Sequence, residues 1–337
     1  MASAPVKFAL VLGGGNALGA YHAGVYQALH EAGQQPDWIV GGSAGAINGA
    51  VIAGNAPDQR VARLRELWQP SDGGEFTWPG GETMRRSAAV LATLAAGRPG
   101  LFAPPGPLGS WWEPDALMNA RSLFDTQPMR ATLSRLVDFD RLNRGEVRFT
   151  AVAVDLDTGD EVLFDTTRDT ITPDHLRASA ALLPAFPPVE IDGRALVDAG
   201  LAANLPLDPV LAAPSREPML VVAADLLPRC ERRPRTLGEA VSRAQDLAFA
   251  AQSRRTVERW QAVYPLDARL SGASVSLVRL AYADQGEEVA GKAMDFSPAS
   301  VRGRWNAGHR DACAMLEKLA DGTIALGKPG LNVTSLP

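Results

Sequence analysis

The sequence predicts an α/β fold: a mostly parallel sheet sandwiched by helices, with a helical insertion. Short apolar runs of strand length end in glycine, and segments with apolar residues at helical spacing follow them. The first such unit is residues 6–12, Gly13-Gly14-Gly15, and then a helix beginning near Gly19. Residues 37–41 form the second strand, which leads through Ser43 into an Ala/Ile-rich helix. Repeated strand–loop–helix units are typical of parallel sheets.

Composition excludes several classes of protein. The chain has 337 residues, 46% of them hydrophobic and 21% charged, which indicates a globular protein with a sizeable core. With a net charge of -5, it has no nucleic-acid footprint. Basic residues cluster only locally, and this cluster is interpreted either as a solvated loop or as a contact for an anionic partner. Its members are Arg229, Arg232, Arg233 and Arg235.

Cysteine usage and hydropathy bear on location. Cys230 and Cys313 lie far apart without metal-ligand spacing, so we expect no disulfide framework, no metal site and a reducing, cytoplasmic location. Residues 1–12 are too soon broken by glycine to form a signal peptide. No uninterrupted apolar stretch is long enough to span a bilayer. Peripheral contact with an inner membrane stays open, as does the oligomeric state.

Ser43 lies in a G-x-S-x-G segment between the second strand and its helix. Gly41 and Gly45 flank the serine, and glycine lets the backbone turn sharply enough to lift the hydroxyl clear of the sheet edge. This arrangement predicts a nucleophile elbow. The alternative is a tight strand-to-helix turn in which the serine only caps the helix.

The three glycines after the first strand have two interpretations. The backbone N–H groups of Gly13, Gly14 and Gly15 carry no side-chain cover, so they are candidates for an oxyanion hole at a helix N-terminus. The alternative is a dinucleotide-binding turn, but Leu18 stands where that fingerprint needs its third glycine. Its acidic residue is also misplaced, since Asp37 precedes the second strand. We therefore favour the oxyanion loop and expect no cofactor.

Two neighbouring strand ends would thus supply a serine and a set of backbone donors. The carboxyl ends of parallel strands meet at one edge of the sheet, where open α/β folds place their sites. A nucleophile from one loop and oxyanion donors from the next are typical of acyl transfer.

The stretches 10–25 (LVLGGGNALGAYHAGV) and 41–49 (GGSAGAING) resemble the patatin-like phospholipase family. That resemblance implies a three-layer α/β/α fold and a Ser–Asp dyad without histidine, with the aspartate in a D-G-G or D-G-A type turn. The matching turn is Asp198-Ala199-Gly200, followed by Asn204 and Pro206 at the family's spacing. Residues 178–189 resemble the family's segment before the aspartate. The resemblance therefore implies Ser43 as nucleophile and Asp198 as base.

The implied activity is hydrolysis of lipid-like carboxylic esters through an acyl-enzyme, with a lipid or fatty-acyl ester as substrate. Thioester hydrolysis and a non-catalytic lipid- or acyl-binding role are the alternatives. Bacterial relatives carry a further glycine and then Arg or Lys in the loop, where this chain has Asn16 and Leu18. The missing cation puts a phospholipid preference in question, although backbone donors survive.

Histidine placement tests a Ser-Asp-His triad as the alternative. Packing or local bonding is the favoured role for His22 and His30, both on the first predicted helix. His175 begins an apolar helix, and His309 is the only histidine late enough for the Ser…Asp…His order. We favour the dyad over either triad.

The remaining segments complete the predicted fold. Residues 70–120, rich in Pro, Gly and Trp (Trp78, Trp111, Trp112), form an insertion interpreted as a lid or acyl pocket, or as a packed helical piece. One helix is predicted over 125–142, capped by Asp125 or Thr126, and then a hairpin with strands 147–154 and 161–165. The hairpin turn, with Asp155 and Asp157, is interpreted as solvated and not as a calcium loop.

Further along the chain, the pattern predicts a helix after Pro206. It then predicts strands over 219–224 and 274–280 and helices over 237–260 and 298–319. We divide the chain into a catalytic domain, 6–212, and a C-terminal extension, 213–330, packed on the same domain.

Overall fold

A single mixed sheet organises the chain. The computed structural model describes residues 6–68, 81–105, 122–227, 231–283 and 285–336. Within these ranges nine strands pair in the order β5-β6-β3-β2-β1-β7-β8-β9, with β4 on the other edge of β3. The strands are β1 (Lys7–Leu12), β2 (Trp38–Gly42), β3 (Arg148–Asp155), β4 (Glu161–Asp165), β5 (Val189–Ile191), β6 (Arg194–Asp198), β7 (Met219–Asp225), β8 (Ser274–Ala281) and β9 (Gly330–Leu336).

Helices cover both faces of this sheet. They are α1 (Ala20–Glu31), α2 (Ala44–Ala53), α3 (Pro57–Trp68), α4 (Gly81–Ala96), α5 (Gln127–Leu136), α6 (Phe139–Arg144), α7 (Pro173–Ser179), α8 (Asp208–Leu211), α9 (Leu237–Val263) and α10 (Pro298–Ala320). Short 3-10 turns span Asn16–Gly19, Ala199–Leu201 and Lys292–Met294.

Strand β1 lies at the centre and shows why two helical layers are needed. It pairs in parallel with β2 on one side and β7 on the other. Leu10 and Leu12 enter the core shared with α1, α2 and α10, whereas Ala9 and Val11 enter the core shared with α8 and α9. Because alternate side chains point to opposite faces, both faces must be covered. The predicted fold class is confirmed.

The helices α1 and α10 pack closely against each other through glycine. A Cβ atom on Gly24 would lie 1.9 Å from the Trp305 carbonyl oxygen, and one on Gly308 would lie 2.0 Å from that of Tyr21. Neither position has room for a side chain. The C-terminal helix is therefore fixed against the helix that follows the glycine loop.

Most predicted elements are confirmed, with corrections. Residues 125–142 form two helices, not one, because Asp138 begins α6 by accepting the Arg141 backbone N–H. The sequence analysis missed β9 and did not assign the β5–β6 hairpin. Strands β7, β8 and β9 extend the sheet that contains β1, and the division at residue 212 stays a prediction.

The insertion is described only in part. Helix α4 and residues 97–105 belong to it, whereas Trp78, Trp111 and Trp112 lie outside the described residues, as do Arg229 and Cys230. Of the helices that the structure describes, none has the length and hydropathy needed to cross a membrane.

Candidate active site

Ser43 sits on a strained turn directly after β2. Its φ of 54° and ψ of -126° lie in a region that non-glycine residues rarely adopt. Such a conformation costs on the order of 1–3 kcal/mol and persists only where the surroundings hold it. Here the Ser43 backbone N–H donates to the Ser179 carbonyl oxygen at 3.1 Å and to its hydroxyl at 3.0 Å.

The two flanking glycines are required by close packing. A Cβ on Gly45 would lie 2.1 Å from the Leu12 carbonyl oxygen, and one on Gly41 would lie 2.5 Å from the backbone of Gly45. The turn therefore presses against the end of β1, which is possible only without side chains at these positions. This packing fits the predicted nucleophile elbow.

Strand β3 brings Asp198 to Ser43. On one edge of β3, β2 pairs up to Gly42 opposite Val152, and the antiparallel β6 ends with Asp198 opposite Ala153. The two strands therefore meet end to end over adjacent residues of β3. Residues that are far apart in sequence, Ser43 and Asp198, are thereby placed at one point of the sheet.

The carboxyl group of Asp198 is buried and perturbed. Burial raises the pKa of Asp198 to about 6, while the Ser43 hydroxyl and the Gly200 N–H act to lower it. Its Oδ1 accepts the Gly200 N–H at 2.7 Å. Its Oδ2 has no well-aligned hydrogen bond from any described residue. The Ser43 hydroxyl is thus near enough to influence the carboxyl group but is not aligned with Oδ2, and this oxygen is available to a proton.

The glycine loop is only partly free to bind an anion. The Gly13 N–H donates to the Ala224 carbonyl oxygen at 3.1 Å, and the Gly14 N–H donates to that of Asn204 at 2.8 Å. These two N–H groups are therefore used by the fold and are not the oxyanion donors that the sequence suggests. The Gly15 N–H makes no hydrogen bond with the described residues, and Gly15 lines the cavity beside Ser43.

Gly14 has a different role, which is to let the loop approach the dyad. A Cβ at Gly14 would lie 2.5 Å from Asn204 Oδ1 and 3.1 Å from the Ser43 Cβ. Asn204 Nδ2 also donates to the Gly14 carbonyl oxygen at 3.3 Å. The Asn204 position noted in the sequence thus ties the Asp198 turn to the glycine loop.

Sequence reasoning missed three residues that hold this arrangement. The buried Ser179 hydroxyl accepts from Ser43 and donates to the Val152 carbonyl oxygen at 2.5 Å. Gln252 on α9 accepts the Asn204 N–H at 2.9 Å and donates to the Gly200 carbonyl oxygen at 3.1 Å. No local pattern marks them, except that Ser179 lies in the segment before the aspartate.

Arg304 on α10 is the third missed residue. Its buried guanidinium donates to the Ala17 carbonyl oxygen at 3.1 Å and is paired with Glu288 at 2.8 Å. A cation from the C-terminal region therefore holds the back of the glycine loop, in which Leu18 is itself fully buried.

The histidines are engaged away from the dyad. His22 Nδ1 lies 3.3 Å from Asn48 Nδ2, and burial lowers the pKa of His22 to about 3. His175 belongs to the capping box of α7, and His309 bonds to Glu31 at 2.7 Å. No histidine of the described ranges lines the cavity at Ser43, so the geometry offers no partner for a triad.

An apolar cavity of about 860 Å³ opens beside Ser43 and Asp198. This volume lies within the range of about 300–1,000 Å³ that is usual for ligand pockets. Aliphatic and aromatic side chains from α2, α4, α9 and the 290–296 segment form its walls. Among them are Leu18, Ile47, Val90, Phe102, Phe186 and Phe296.

A second depression, of about 1000 Å³, lies by the β3–β4 hairpin and contains neither Ser43 nor Asp198. Its lining is largely charged, including Asp155 and Glu161. Over the described parts of the chain, no group of three or more His, Cys, Asp or Glu side chains is placed to hold a metal ion.

Comparison with known proteins agrees with the resemblance seen in the sequence. The family model described as patatin-like phospholipase matches residues 10–211, and a second, described as patatin phospholipase, matches residues 240–321. The chain belongs to the patatin-like phospholipase family. Membership of this family supports a lipid hydrolase in general terms.

The chain is also similar to uncharacterized NTE family proteins of Mycobacterium tuberculosis. One is 27% identical over 208 residues, which cover 62% of this chain and 46% of that protein. Another is 29% identical over 218 residues, covering 64% of this chain and 30% of that protein. The chain thus covers less than half the length of either relative.

Two solved structures resemble the fold at low identity. VipD from Legionella pneumophila has a TM-score of 0.47 at 15% identity, covering 94% of this chain and 68% of that chain. The type III effector protein ExoU from Pseudomonas aeruginosa has a TM-score of 0.39 at 17% identity, covering 94% and 54%.

Proposed function

We propose that the protein hydrolyses carboxylic esters of lipid-like substrates through an acyl-enzyme, with Ser43 as nucleophile and Asp198 as general base. The observation that carries this proposal is the meeting of β2 and β6 on β3, which sets a strained serine against a buried carboxyl group. Strained backbone and perturbed carboxyl groups are both concentrated at active sites.

The chemistry follows from the two side chains. The Ser43 oxygen attacks the ester carbonyl carbon while its proton moves to Asp198 Oδ2, the buried oxygen without a well-aligned hydrogen bond. The same proton then passes to the leaving alcohol as the tetrahedral intermediate collapses. In the second half, water attacks the acyl-enzyme, Asp198 takes its proton, and Ser43 recovers a proton as the acid is released. A carboxyl pKa near 6 makes Asp198 a stronger base than an ordinary aspartate.

Backbone N–H groups are proposed to hold the oxyanion. Gly15 and Ala44 line the cavity on either side of Ser43. Ala44 begins α2, so the helix leaves its N–H without an internal partner. With Gly13 and Gly14 engaged by the fold, Gly15 and Ala44 are the donors that we assign.

The cavity indicates the kind of substrate. Its largely apolar wall favours an acyl chain, because burying apolar surface is worth roughly 25 cal/mol per Å². The buried Lys292 in this wall is neutralised by Asp246 at 2.6 Å and does not present an unpaired charge to the chain. We therefore assign the cavity to the acyl chain of a lipid or fatty-acyl ester.

A fluorophosphonate probe provides the first test. We expect covalent labelling that intact mass spectrometry maps to Ser43, together with turnover of p-nitrophenyl esters. Ser43→Ala and Asp198→Asn should each abolish turnover while the circular dichroism spectrum is retained. Ser242→Ala is the matched control, because this serine lines the same cavity away from the dyad.

Two results would contradict the proposal. Turnover by a folded Ser43→Ala variant would exclude Ser43 as the nucleophile. Binding of fatty-acyl ligands without turnover of any ester or thioester by the unmodified protein would indicate a lipid-binding role on the same fold.

A further inference from the structure

The mouth of the acyl cavity carries apolar side chains that face solvent. Leu237, Val241 and Leu94 line the cavity, yet they are 83%, 63% and 39% exposed. On α4, Met84 and Leu91 are also more than half exposed. Positions 84, 91 and 94 share one face of α4, and positions 237 and 241 share one face of α9. Two helices thus present apolar rows at the cavity entrance.

Arginines adjoin this apolar rim. Arg232, Arg233 and Arg235 immediately precede Leu237, and they line a depression of about 330 Å³. This depression shares Ser242, Ala290 and Lys292 with the wall of the acyl cavity. Positive charge therefore lies against the exposed rim at its α9 side.

The acidic residues nearby are already occupied. Glu239 accepts the backbone N–H groups of Arg235 and Thr236 as part of the capping box of α9. Glu288 is buried and paired with Arg86 and Arg304. The guanidinium groups of Arg233 and Arg235, by contrast, have no ion-pair partner within the part of the chain that the structure describes. Their charge remains available to an outside anion.

We propose that this face, called here the docking face, seats the protein on an anionic lipid bilayer. It consists of the apolar side chains Met84, Leu91, Leu94, Leu237 and Val241 together with Arg232, Arg233 and Arg235. The inference rests on the proposed function, because it names the lipid surface from which the acyl cavity is filled. A second copy of this chain or a protein partner would need acidic groups of its own to match the arginines.

A bilayer matches the docking face in both of its parts. Leucine and valine side chains at the rim enter the boundary between headgroups and acyl chains, while the arginines contact lipid phosphates. Because the rim residues also line the cavity, an acyl chain can pass from the bilayer towards Ser43 along apolar surface. The chain then avoids the cost of crossing water.

Vesicle co-sedimentation tests the inference without relying on catalysis. The full-length Ser43→Ala protein, which cannot consume the vesicles through this serine, is mixed with phosphatidylcholine vesicles with or without phosphatidylglycerol. One variant replaces Arg232, Arg233 and Arg235 by glutamine, and another changes Leu237 and Val241 to serine. Exposed positions away from the cavity provide the matched controls. They are Arg254, Arg255 and Arg269 to glutamine, and Leu266 and Leu326 to serine.

We expect the phosphatidylglycerol vesicles to bind the protein at least about tenfold more tightly than neutral vesicles, with the difference shrinking at high salt. Each docking-face variant should lose at least about tenfold in partition coefficient, since one arginine near an anionic surface is worth about fivefold. The control variants should stay within about twofold of the parent.

Equal affinity for neutral and anionic vesicles would overturn the inference, as would docking-face variants that bind like the controls. Loss of sedimentation together with a dimeric mass in light scattering would assign this face to a second copy instead. Short-ester turnover by the protein with Ser43 intact is measured separately. Failed turnover with intact vesicle binding would therefore refute the proposed function alone.

Discussion

The buried carboxyl group of Asp198 should make the folded protein less stable than it could be at neutral pH. Its pKa of about 6 in the fold compares with an ordinary value of 3.8. Because the folded-state value is higher, the native state holds the proton more tightly than the unfolded chain does between these two values. Ionisation therefore costs native stability as pH rises from about 4 to about 6, and the full cost is present above pH 6.

The size of this cost follows from the shift. One pKa unit corresponds to about 1.4 kcal/mol, so a shift of about two units costs about 3 kcal/mol at pH 8. Asp198→Asn removes the ionisation but keeps an oxygen that can accept the Gly200 N–H. The new amide hydrogens lack a full set of acceptors in the site, which returns about 1–2 kcal/mol. We expect a net gain of about 1–3 kcal/mol in the free energy of unfolding at pH 8.

Urea denaturation followed by tryptophan fluorescence measures this gain. At pH 8 the midpoint of Asp198→Asn should exceed that of the unmodified protein, and the difference should largely vanish at pH 4.5, where the native carboxyl group is already protonated. Asp157→Asn, in the exposed hairpin turn, is the matched control and should change stability by less than about 0.5 kcal/mol. A variant that is no more stable at pH 8, or a gain that does not depend on pH, would refute the reasoning.

Three further substitutions examine the elements around the dyad. Gly45→Ala should destabilise the fold by more than about 3 kcal/mol in urea melts, because its Cβ would lie 2.1 Å from a backbone oxygen, whereas Gly303→Ala on open surface should be neutral or stabilising. Gln252→Ala should lower kcat at least about tenfold with little change in KM for a short ester, while Gln261→Ala, exposed on the same helix, should not; equal loss in both would refute a positioning role. Ser179→Ala should cost about 1–2 kcal/mol in urea melts and reduce fluorophosphonate labelling, and unchanged labelling would show that the turn holds without it.

Local patterns predicted the central part of the fold. Glycine after an apolar run marked the ends of β1 and β2, and parallel pairing placed those ends side by side. The candidate residues Ser43 and Asp198 were also accessible from the sequence, because each occupies a short motif. Their roles remain predictions, but their proximity is a structural fact that follows from the pairing of β3 with β2 and β6.

Long-range backbone bonds were beyond the reach of the sequence. Whether the N–H of Gly13 or Gly14 is free depends on carbonyl oxygens about two hundred residues away, at Ala224 and Asn204, which no local pattern encodes. The same holds for Gln252, whose amide reaches two loops from the middle of a long helix. Strand β9 was missed because half-buried side chains give it no continuous apolar run.

The central position of β1 also bears on how the chain is made. On a ribosome β1 is among the first segments to emerge, yet its parallel neighbour β7 ends at Asp225, and until that strand has been synthesised one edge of β1 stays open. An unpaired hydrophobic edge is a site of aggregation for a nascent chain. We therefore expect productive folding in the cell to wait for the second half of the chain, which gives chaperones a long interval in which to bind.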